Sequence, residues 1–164
     1  FYDDAVRWAV ENGITTGTTD TTFSPELGVS RAEAVTFLWR LAGSPEPQNA
    51  ENPFTDLDSS AYYYKAVLWA AETGVTKGTS STTFSPEDTV NRAQLVTFLA
   101  RANKAEAAGS SSFSDVKGDA YYAGSVAWAE ENSVTTGTGS GKFSPDQDCS
   151  RAQLVTMLYR LNVK

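Results

Sequence analysis

The stretch FSPELGVSRAEAVTFLWRL, at residues 23–41, contains the pattern on which the fold depends. It returns as FSPEDTVNRAQLVTFLARA at residues 84–102 and as FSPDQDCSRAQLVTMLYRL at residues 143–161. The copies start about 60 residues apart, and a regular period of this kind marks a repeat protein. The chain therefore contains three copies of one module.

Each copy of this stretch is preceded by the same two features, a tryptophan in a helical pattern and a glycine in a loop rich in turn-forming residues. They are Trp8 with Gly17, Trp69 with Gly78, and Trp128 with Gly137. In the second copy a helix is predicted over residues 61–73, with Gly74 as its left-handed end. Ser60, and Asp119 in the third copy, are suitable N-caps. The sequence therefore predicts a helix, a loop and a second helix in each module.

The second helix of each module has a clear start signal. Ser30, Asn91 or Ser150 is followed three residues later by Glu or Gln, which predicts a capping box. The helix is expected to run for about 11 residues, close to the average length in globular proteins. Cys149 stands where the other copies have valine, so a buried and inert thiol is expected there.

One such module is too small to bury its own apolar face, so the three copies must pack on one another. We therefore expect a mainly α fold, a pseudo-threefold spindle with grooves between neighbouring repeats. The repeats are placed at residues 1–43, 54–103 and 113–164, forming one compact domain. Short strands are allowed at Phe54–Asp56 and Phe113–Asp115. The first copy starts after the corresponding segment, so we expect the chain to be cut from a longer one.

Composition excludes several classes of function. The net charge of −7 argues against nucleic-acid binding, which relies on Lys and Arg to neutralise phosphates. The chain has no His, which removes the usual general base and the histidine-containing metal sites. Its single Cys cannot form an internal disulfide or a zinc cluster. No apolar run is long enough to cross a membrane, and no cofactor is expected.

The arginine that follows each cap is not explained by helix formation, because the helix dipole disfavours a cation at this end. These residues are Arg31, Arg92 and Arg151. One interpretation is an anion site built from the arginine and free helix N–H groups. The other is a salt bridge with a neighbouring copy, at Glu26, Glu87 or Asp146. Under the first interpretation, Arg→Ala weakens ligand binding and leaves thermal stability nearly unchanged.

Other repeated residues have two interpretations each. The tryptophans fit core packing or stacking on a sugar ring. The glycines fit a turn with positive φ, or a close approach of backbone N–H groups to a ligand. A second set of arginines, in the last turn of the second helix, suits the helix dipole and is expected to be structural. These are Arg40, Arg101 and Arg160.

Taken in order, these motifs resemble the S-layer homology (SLH) domain, which usually occurs as three consecutive copies. The matching pieces are Phe54-Thr55-Asp56, Ala66-Val67-Leu68-Trp69-Ala70, Gly13-Ile14-Thr15-Thr16-Gly17, Phe-Ser-Pro and the arginine box. Each piece is weak alone, but the ordered set occurs in every copy apart from the missing start of the first. The box departs from Thr-Arg-Ala-Glu, since Ser or Asn replaces Thr and only Glu33 keeps the acid.

The resemblance implies an extracellular module that binds the bacterial cell wall without a covalent bond. Its expected partner is a secondary cell-wall polysaccharide bearing a pyruvylated amino sugar, held in grooves between copies, and the module is expected to be a monomeric part of a larger surface protein. The residues expected to bind this ligand are Arg31, Arg92, Arg151, Trp8, Trp69, Trp128, Gly17, Gly78 and Gly137.

Two other hypotheses remain at this point. The altered boxes are also compatible with a protein-interaction or self-assembly module that kept the fold without the glycan site. An enzyme with a carboxylate pair is disfavoured, because the acidic positions shared by the copies have the pattern of surface residues.

Overall fold

The computed structural model describes residues 1–49 and 51–163, and its regular structure is helical. The first helices of the three modules are α1 (Asp3–Glu11), α3 (Tyr64–Glu72) and α5 (Ala123–Glu131). The second helices are α2 (Arg31–Leu41), α4 (Arg92–Ala102) and α6 (Arg151–Asn162). The prediction of a mainly α fold is confirmed.

The second helices begin where the sequence predicts. Ser30, Asn91 and Ser150 are the N-caps, and all three capping boxes are complete. In the first copy the Ser30 hydroxyl accepts from the Glu33 amide at 3.0 Å, and the Glu33 carboxylate accepts from the Ser30 amide at 3.2 Å. Local chemistry thus determines the start of these helices, independently of what packs around them.

The first helices begin later than predicted. Their N-caps are Tyr2, Tyr63 and Tyr122, none of which makes a side-chain capping bond. The prediction of Ser60 as a cap is wrong, because its hydroxyl donates to the carboxylate of Asp58 at 2.7 Å and residues 61–63 form a turn. Asp119 is likewise not the cap of α5. The predicted helix end is confirmed, since Gly74 has φ +78°.

Each first helix packs against the second helix of the preceding repeat. Thus α3 lies on α2, and α5 lies on α4. The cycle closes between the ends of the chain, where α1 lies on α6. The main helix–helix contacts are therefore made between repeats, which is how small modules obtain a common core.

A closed ring of backbone hydrogen bonds joins the repeats at the centre. The amide of Val29 donates to the carbonyl of Cys149, that of Cys149 to Val90, and that of Val90 to Val29, at 2.9–3.0 Å. All three side chains are fully buried. Burial raises the pKa of the Cys149 thiol to about 12, although nearby Arg92 lowers it in part. The thiol is therefore protonated and unreactive at neutral pH.

The Phe-x-Asp segments do not form strands in the described part of the chain, which corrects that expectation. Each segment makes a single backbone hydrogen bond to the loop beside it; in the second copy the amide of Thr55 donates to the carbonyl of Thr82 at 2.8 Å. One such bond does not form a strand. The aspartate side chain does more, because Asp56 accepts from the amides of Phe84 and Ser85 at 2.9 and 2.8 Å. Asp115 makes the equivalent pair of bonds. In each case the second amide belongs to a serine with φ +58°, and the equivalent Ser24 has the same φ.

Asp56→Asn is expected to lower stability at neutral pH by about 1 kcal/mol, since an amide oxygen can accept only one of the two bonds. Burial raises the pKa of Asp56, but backbone amide hydrogen bonds, chiefly those of Phe84 and Ser85, and the nearby Arg31 guanidinium together outweigh it, so the pKa lies below its ordinary value. The ionised carboxylate therefore stabilises the fold at pH values above the ordinary pKa of aspartate. This contribution is lost as the pH falls through the lowered pKa of the folded state. Urea titrations from pH 7 to pH 2 should show the two proteins converging. Asp20→Asn, at an exposed loop position, serves as the control, and a difference that persists at the lowest pH would contradict this role.

Candidate functional site

Three equivalent grooves lie at the boundaries between repeats. We name each by the box arginine at its base, as the Arg31, Arg92 and Arg151 grooves. Their cavity volumes are about 290, 390 and 370 Å³, near the lower end for small-ligand sites. The Arg31 groove is lined by Arg31, Thr76, Lys77, Gly78, Thr79, Gln94, Thr97, Phe98, Arg101 and Tyr121. The other two have the corresponding residues of the following copies.

Each box arginine reaches from its own repeat into the next one. The Nε atoms of Arg31, Arg92 and Arg151 donate to the carbonyls of Phe84, Phe143 and Phe23 at 2.8, 2.8 and 2.9 Å. Each guanidinium also lies over the ring of the same phenylalanine, 4.7–4.9 Å from its centroid. The arginines are only 2–4% exposed. They therefore hold the interface together as well as forming the base of the groove.

The helix N–H groups that were expected to join the arginine in an anion site are already occupied. The amides of Arg31 and Ala32 donate to carbonyls of the next repeat, Asp88 at 2.8 Å and Pro86 at 3.0 Å. The amide of Glu33 donates to the cap hydroxyl. The same bonds recur at α4 and α6. This part of the prediction is wrong, because packing between repeats uses the free helix end; any anion must be held by side chains.

The salt-bridge partners proposed from the sequence are also wrong. In the described residues, none of Glu26, Glu87 and Asp146 pairs with a box arginine. Arg151 instead pairs with Glu33, the acid of the neighbouring capping box, through its Nη1 atom. The expectation that Arg→Ala leaves stability unchanged is inconsistent with these contacts, since each arginine is buried and hydrogen-bonded across an interface.

Two box arginines have a perturbed pKa. Burial lowers the pKa of Arg31 and of Arg92, and the groups that raise it, chiefly Asp88 near Arg31 and Cys149 followed by Asp115 near Arg92, only partly offset it. The guanidinium groups are thus poorly solvated cations, which remain charged at neutral pH because arginine titrates so high. A cation in this state gains more from an anionic ligand than a fully hydrated one does.

The loop glycines line the grooves, but their amides do not face a ligand freely. Gly17, Gly78 and Gly137 have φ of +88°, +79° and +81°. Their amides donate to the hydroxyls of Thr15, Thr76 and Thr135 at 3.0–3.1 Å. A Cβ atom at Gly78 would lie 2.4 Å from a backbone carbonyl and 2.6 Å from the Phe54 ring. The structure thus favours the interpretation of these residues as turn glycines, placed at the groove wall.

The tryptophans lie outside all three grooves as the described residues form them, so their expected role as groove residues is corrected. Trp69 is 9% exposed and belongs to the core. The Trp8 ring meets the ring of Tyr159 on α6 at 5.8 Å, edge to face, and Trp128 is partly buried against the core. The reason is the cyclic packing, which turns this face of each first helix toward the preceding repeat.

One set of groove residues was not singled out from the sequence, and a second set was expected to be structural only. Phe1, Tyr62 and Tyr121 occupy equivalent positions in the three copies, and each lines a groove formed by the other two repeats. They are 61–87% exposed. The last-turn arginines also line the grooves, in addition to the contact of Arg40 with the Ile14 carbonyl at 3.1 Å. The signal for the aromatic set was its constant spacing from the tryptophans.

The sequence model of the S-layer homology domain family matches residues 1–35, 53–96 and 112–155. The chain belongs to this family. The matched SLH segments contain the box arginines and the loop glycines of all three repeats. The identification made from the motif order is confirmed.

Several curated relatives carry the same region. An S-layer protein of Bacillus licheniformis is 29% identical over 164 residues, which cover 92% of this chain and 17% of that protein. An endoglucanase of Bacillus sp. (strain KSM-635) is 33% identical over 120 residues, 73% of this chain and 12% of the enzyme. A surface-layer 125 kDa protein of Lysinibacillus sphaericus is 32% identical over 99 residues, 60% of this chain and 8% of that protein. The chain thus spans less than a fifth of the length of these relatives.

The described residues include no helix that is both long and apolar enough to cross a membrane. They also contain no cluster of His, Cys, Asp or Glu that could hold a metal ion. The polar side chains that line the grooves are those of arginine, lysine, threonine, glutamine and tyrosine residues and, in the Arg151 groove, of Glu33.

Proposed function

We propose that this chain is a non-covalent anchoring module that binds an anionic secondary cell-wall polysaccharide in the grooves between its SLH repeats. The ligand group is a pyruvylated amino sugar, whose ketal carboxylate supplies the negative charge. The observation that carries this proposal is the placement of two arginines, one from each neighbouring repeat, in every groove.

The arginines suit a carboxylate for a geometric reason. In the Arg31 groove, Nε of Arg31 is bonded to the Phe84 carbonyl, which leaves the two Nη groups as donors at the groove base. Arg101 supplies a second guanidinium from the following repeat. Planar guanidinium groups bind carboxylates through paired hydrogen bonds. A chain with a net charge of −7 can therefore hold an acidic polymer locally.

The rest of each groove suits a sugar ring. Tyr62 and Tyr121 present exposed aromatic rings, which combine an apolar face with a hydroxyl. Thr16, Thr136 and the threonines that follow the loop glycines add hydroxyl groups to the lining. A sugar needs this mixture of one apolar surface and several polar contacts.

The relatives support a location at the cell surface. They include S-layer proteins and a cell surface glycoprotein. The match to an endoglucanase covers 12% of that enzyme, which is compatible with a non-catalytic module attached to different cargoes. We therefore propose that this chain tethers a larger surface protein to the wall and has no catalytic role of its own.

The test is a binding assay with purified bacterial cell walls whose polysaccharide has been shown by chemical analysis to carry pyruvate ketals, before and after acid hydrolysis of those ketals. We expect the intact walls to retain the protein and the hydrolysed walls to bind at least about tenfold more weakly. The double variant Arg101→Gln and Arg160→Gln removes one cation from each of two grooves and should also weaken binding about tenfold.

The control is the double variant Arg7→Gln and Lys65→Gln, which changes the net charge equally at exposed sites outside the grooves. It should bind like the unchanged protein. Equal binding to intact and hydrolysed walls would contradict the ligand assignment. Light scattering that shows self-association without wall material, together with no wall binding, would favour the self-assembly alternative.

A further inference from the structure

The Arg31 groove contains a cationic side chain that the other two grooves lack. Lys77 precedes the loop glycine of the second repeat and lines this groove together with Arg31 and Arg101. Thr16 and Thr136 occupy the equivalent positions in the other two grooves. The Arg31 groove is therefore lined by three cationic side chains, whereas each of the others is lined by two.

The positive charge of the Arg31 groove is not balanced within the groove. Its described lining contains no Asp or Glu, and none of the salt bridges among the described residues involves Arg31, Arg101 or Lys77. Asp88 and Asp56 lie close enough to Arg31 to raise its pKa in part, against the larger effect of burial, but neither lines the groove. The carboxylate of Asp56 already accepts two backbone amides. A ligand with more than one negative charge is therefore the best counterpart of the three cations.

The three cations lie at different depths. Arg31 is 4% exposed at the base of the groove, Arg101 is half-buried and Lys77 is exposed. The amide of Gly78 donates to the Thr76 hydroxyl at 3.0 Å, which fixes the backbone on both sides of Lys77. A lysine ammonium is a compact charge with three donors on a flexible stem. It can therefore contact an anion that lies nearer the solvent than the one held by the arginines.

We propose that Lys77 forms a second anion subsite at the rim of the Arg31 groove, which makes this groove selective for wall glycans that carry a second acidic group beside the ketal carboxylate. The second group is a carboxylate or a phosphate, since an ammonium donates charge-assisted hydrogen bonds to either. This inference rests on the proposed function and specifies the ligand of one groove. The other two grooves have threonine at this position and do not share the preference.

The test measures affinity groove by groove from amide chemical shifts. Gly78 and Gly137 line the Arg31 and Arg92 grooves, so their signals report on the two separately. The probes are three synthetic disaccharides, one with a single ketal carboxylate, one with a ketal carboxylate on each sugar, and one with a ketal carboxylate and a phosphate. The protein is acetylated at Phe1, because this residue lines the Arg92 groove and its α-amino group would add a charge there.

The otherwise unchanged protein should distinguish the probes in one groove only. At low salt, at least one doubly charged probe should bind at Gly78 about fivefold more tightly than the singly charged probe. At Gly137 the affinities should agree within about twofold. The preference at Gly78 should fall below about twofold in about 1 M salt, where the Debye length is about 3 Å. The doubly charged probe that is preferred identifies the second acidic group.

Exchanging lysine and threonine should move the preference between grooves. Lys77→Thr should abolish it at Gly78 and keep the affinity for the singly charged probe within about threefold. Thr136→Lys should create the preference at Gly137. Both variants should fold, because both side chains are exposed and each residue type occurs at this position in the chain.

Lys117→Thr is the matched control, because it removes the same charge from an exposed site outside the described linings of the grooves. It should keep the preference at Gly78. Equal affinities of all probes at Gly78 in the protein with Lys77, a preference that survives in Lys77→Thr, or its loss in Lys117→Thr would each overturn the inference and leave the proposed function standing. No binding of any probe in any groove would overturn both.

Discussion

Replacing Arg92 with alanine will lower the free energy of unfolding by about 3 kcal/mol. The substitution removes a charge-assisted hydrogen bond to the Phe143 carbonyl and a cation–π contact 4.7 Å from the ring centroid. A hydrogen bond to a charged group contributes about 1.5–3 kcal/mol, and a desolvated cation–π contact adds about 1 kcal/mol or more. Arg92 is 3% exposed, so water cannot replace either contact.

The measurement is urea denaturation followed by circular dichroism, which gives the change in free energy from the midpoint and slope. Arg7→Ala is the control, because that side chain is 71% exposed and its contact with Asp4 is 4.0 Å long. It should change stability by less than about 0.5 kcal/mol. Arg92→Lys should lose much of the same stability, since lysine keeps the charge but has no Nε donor or planar fork.

A loss below about 1 kcal/mol for Arg92→Ala would contradict this structural role. The result also affects how binding experiments are read. If the box arginines hold the repeats together, then a loss of wall binding after Arg→Ala substitution cannot be assigned to a lost ligand contact. The last-turn arginines are better probes of the ligand, because they are less buried than the box arginines and can be changed with less damage to the interface.

The second large effect is expected at a loop glycine. Gly78→Ala should destabilise the protein by about 3 kcal/mol or more. Its φ of +79° costs an alanine about 1–2 kcal/mol. The new Cβ would also lie 2.4 Å from the Thr83 carbonyl and 2.6 Å from the Phe54 ring, contacts that force the loop or the core to move.

Gly74→Ala separates these two causes. Gly74 has nearly the same φ, +78°, but a Cβ there has nothing within 4 Å. It should therefore show the conformational cost alone, about 1–2 kcal/mol. Thermal and urea denaturation of both variants provide the comparison. Equal losses at the two positions would mean that close packing at the groove wall contributes nothing.

Much of the local structure could be predicted because its causes lie within a few residues. The capping boxes at Ser30, Asn91 and Ser150 depend on side chains three positions apart, so the starts of the second helices follow from the letters alone. The need of Gly74 for positive φ is equally local. The first helices were placed less well, because their starts have no capping side chain to signal them.

The candidate site was predicted in part. The box arginines were correctly singled out as residues that helix formation does not require, and they do form the base of the grooves. Their carbonyl partners, however, lie 51, 53 and 128 residues away in the chain. The arrangement of the three repeats in a ring also places Tyr121 beside Arg31. No pattern of neighbouring residues in the sequence indicates that contact.

The amino-acid pattern alone thus specifies three repeats, the starts of their second helices and their loop turns. It also identifies the box arginines as residues that helix formation does not require. Which groups meet was decided by the cyclic packing of each repeat on the next. That packing occupies the helix amides, places Trp69 in the core with Trp8 and Trp128 packed against it, and brings Glu33 to Arg151. The physical reason is range: capping and turn preferences act over a few residues, whereas the grooves form only when three surfaces close into a ring.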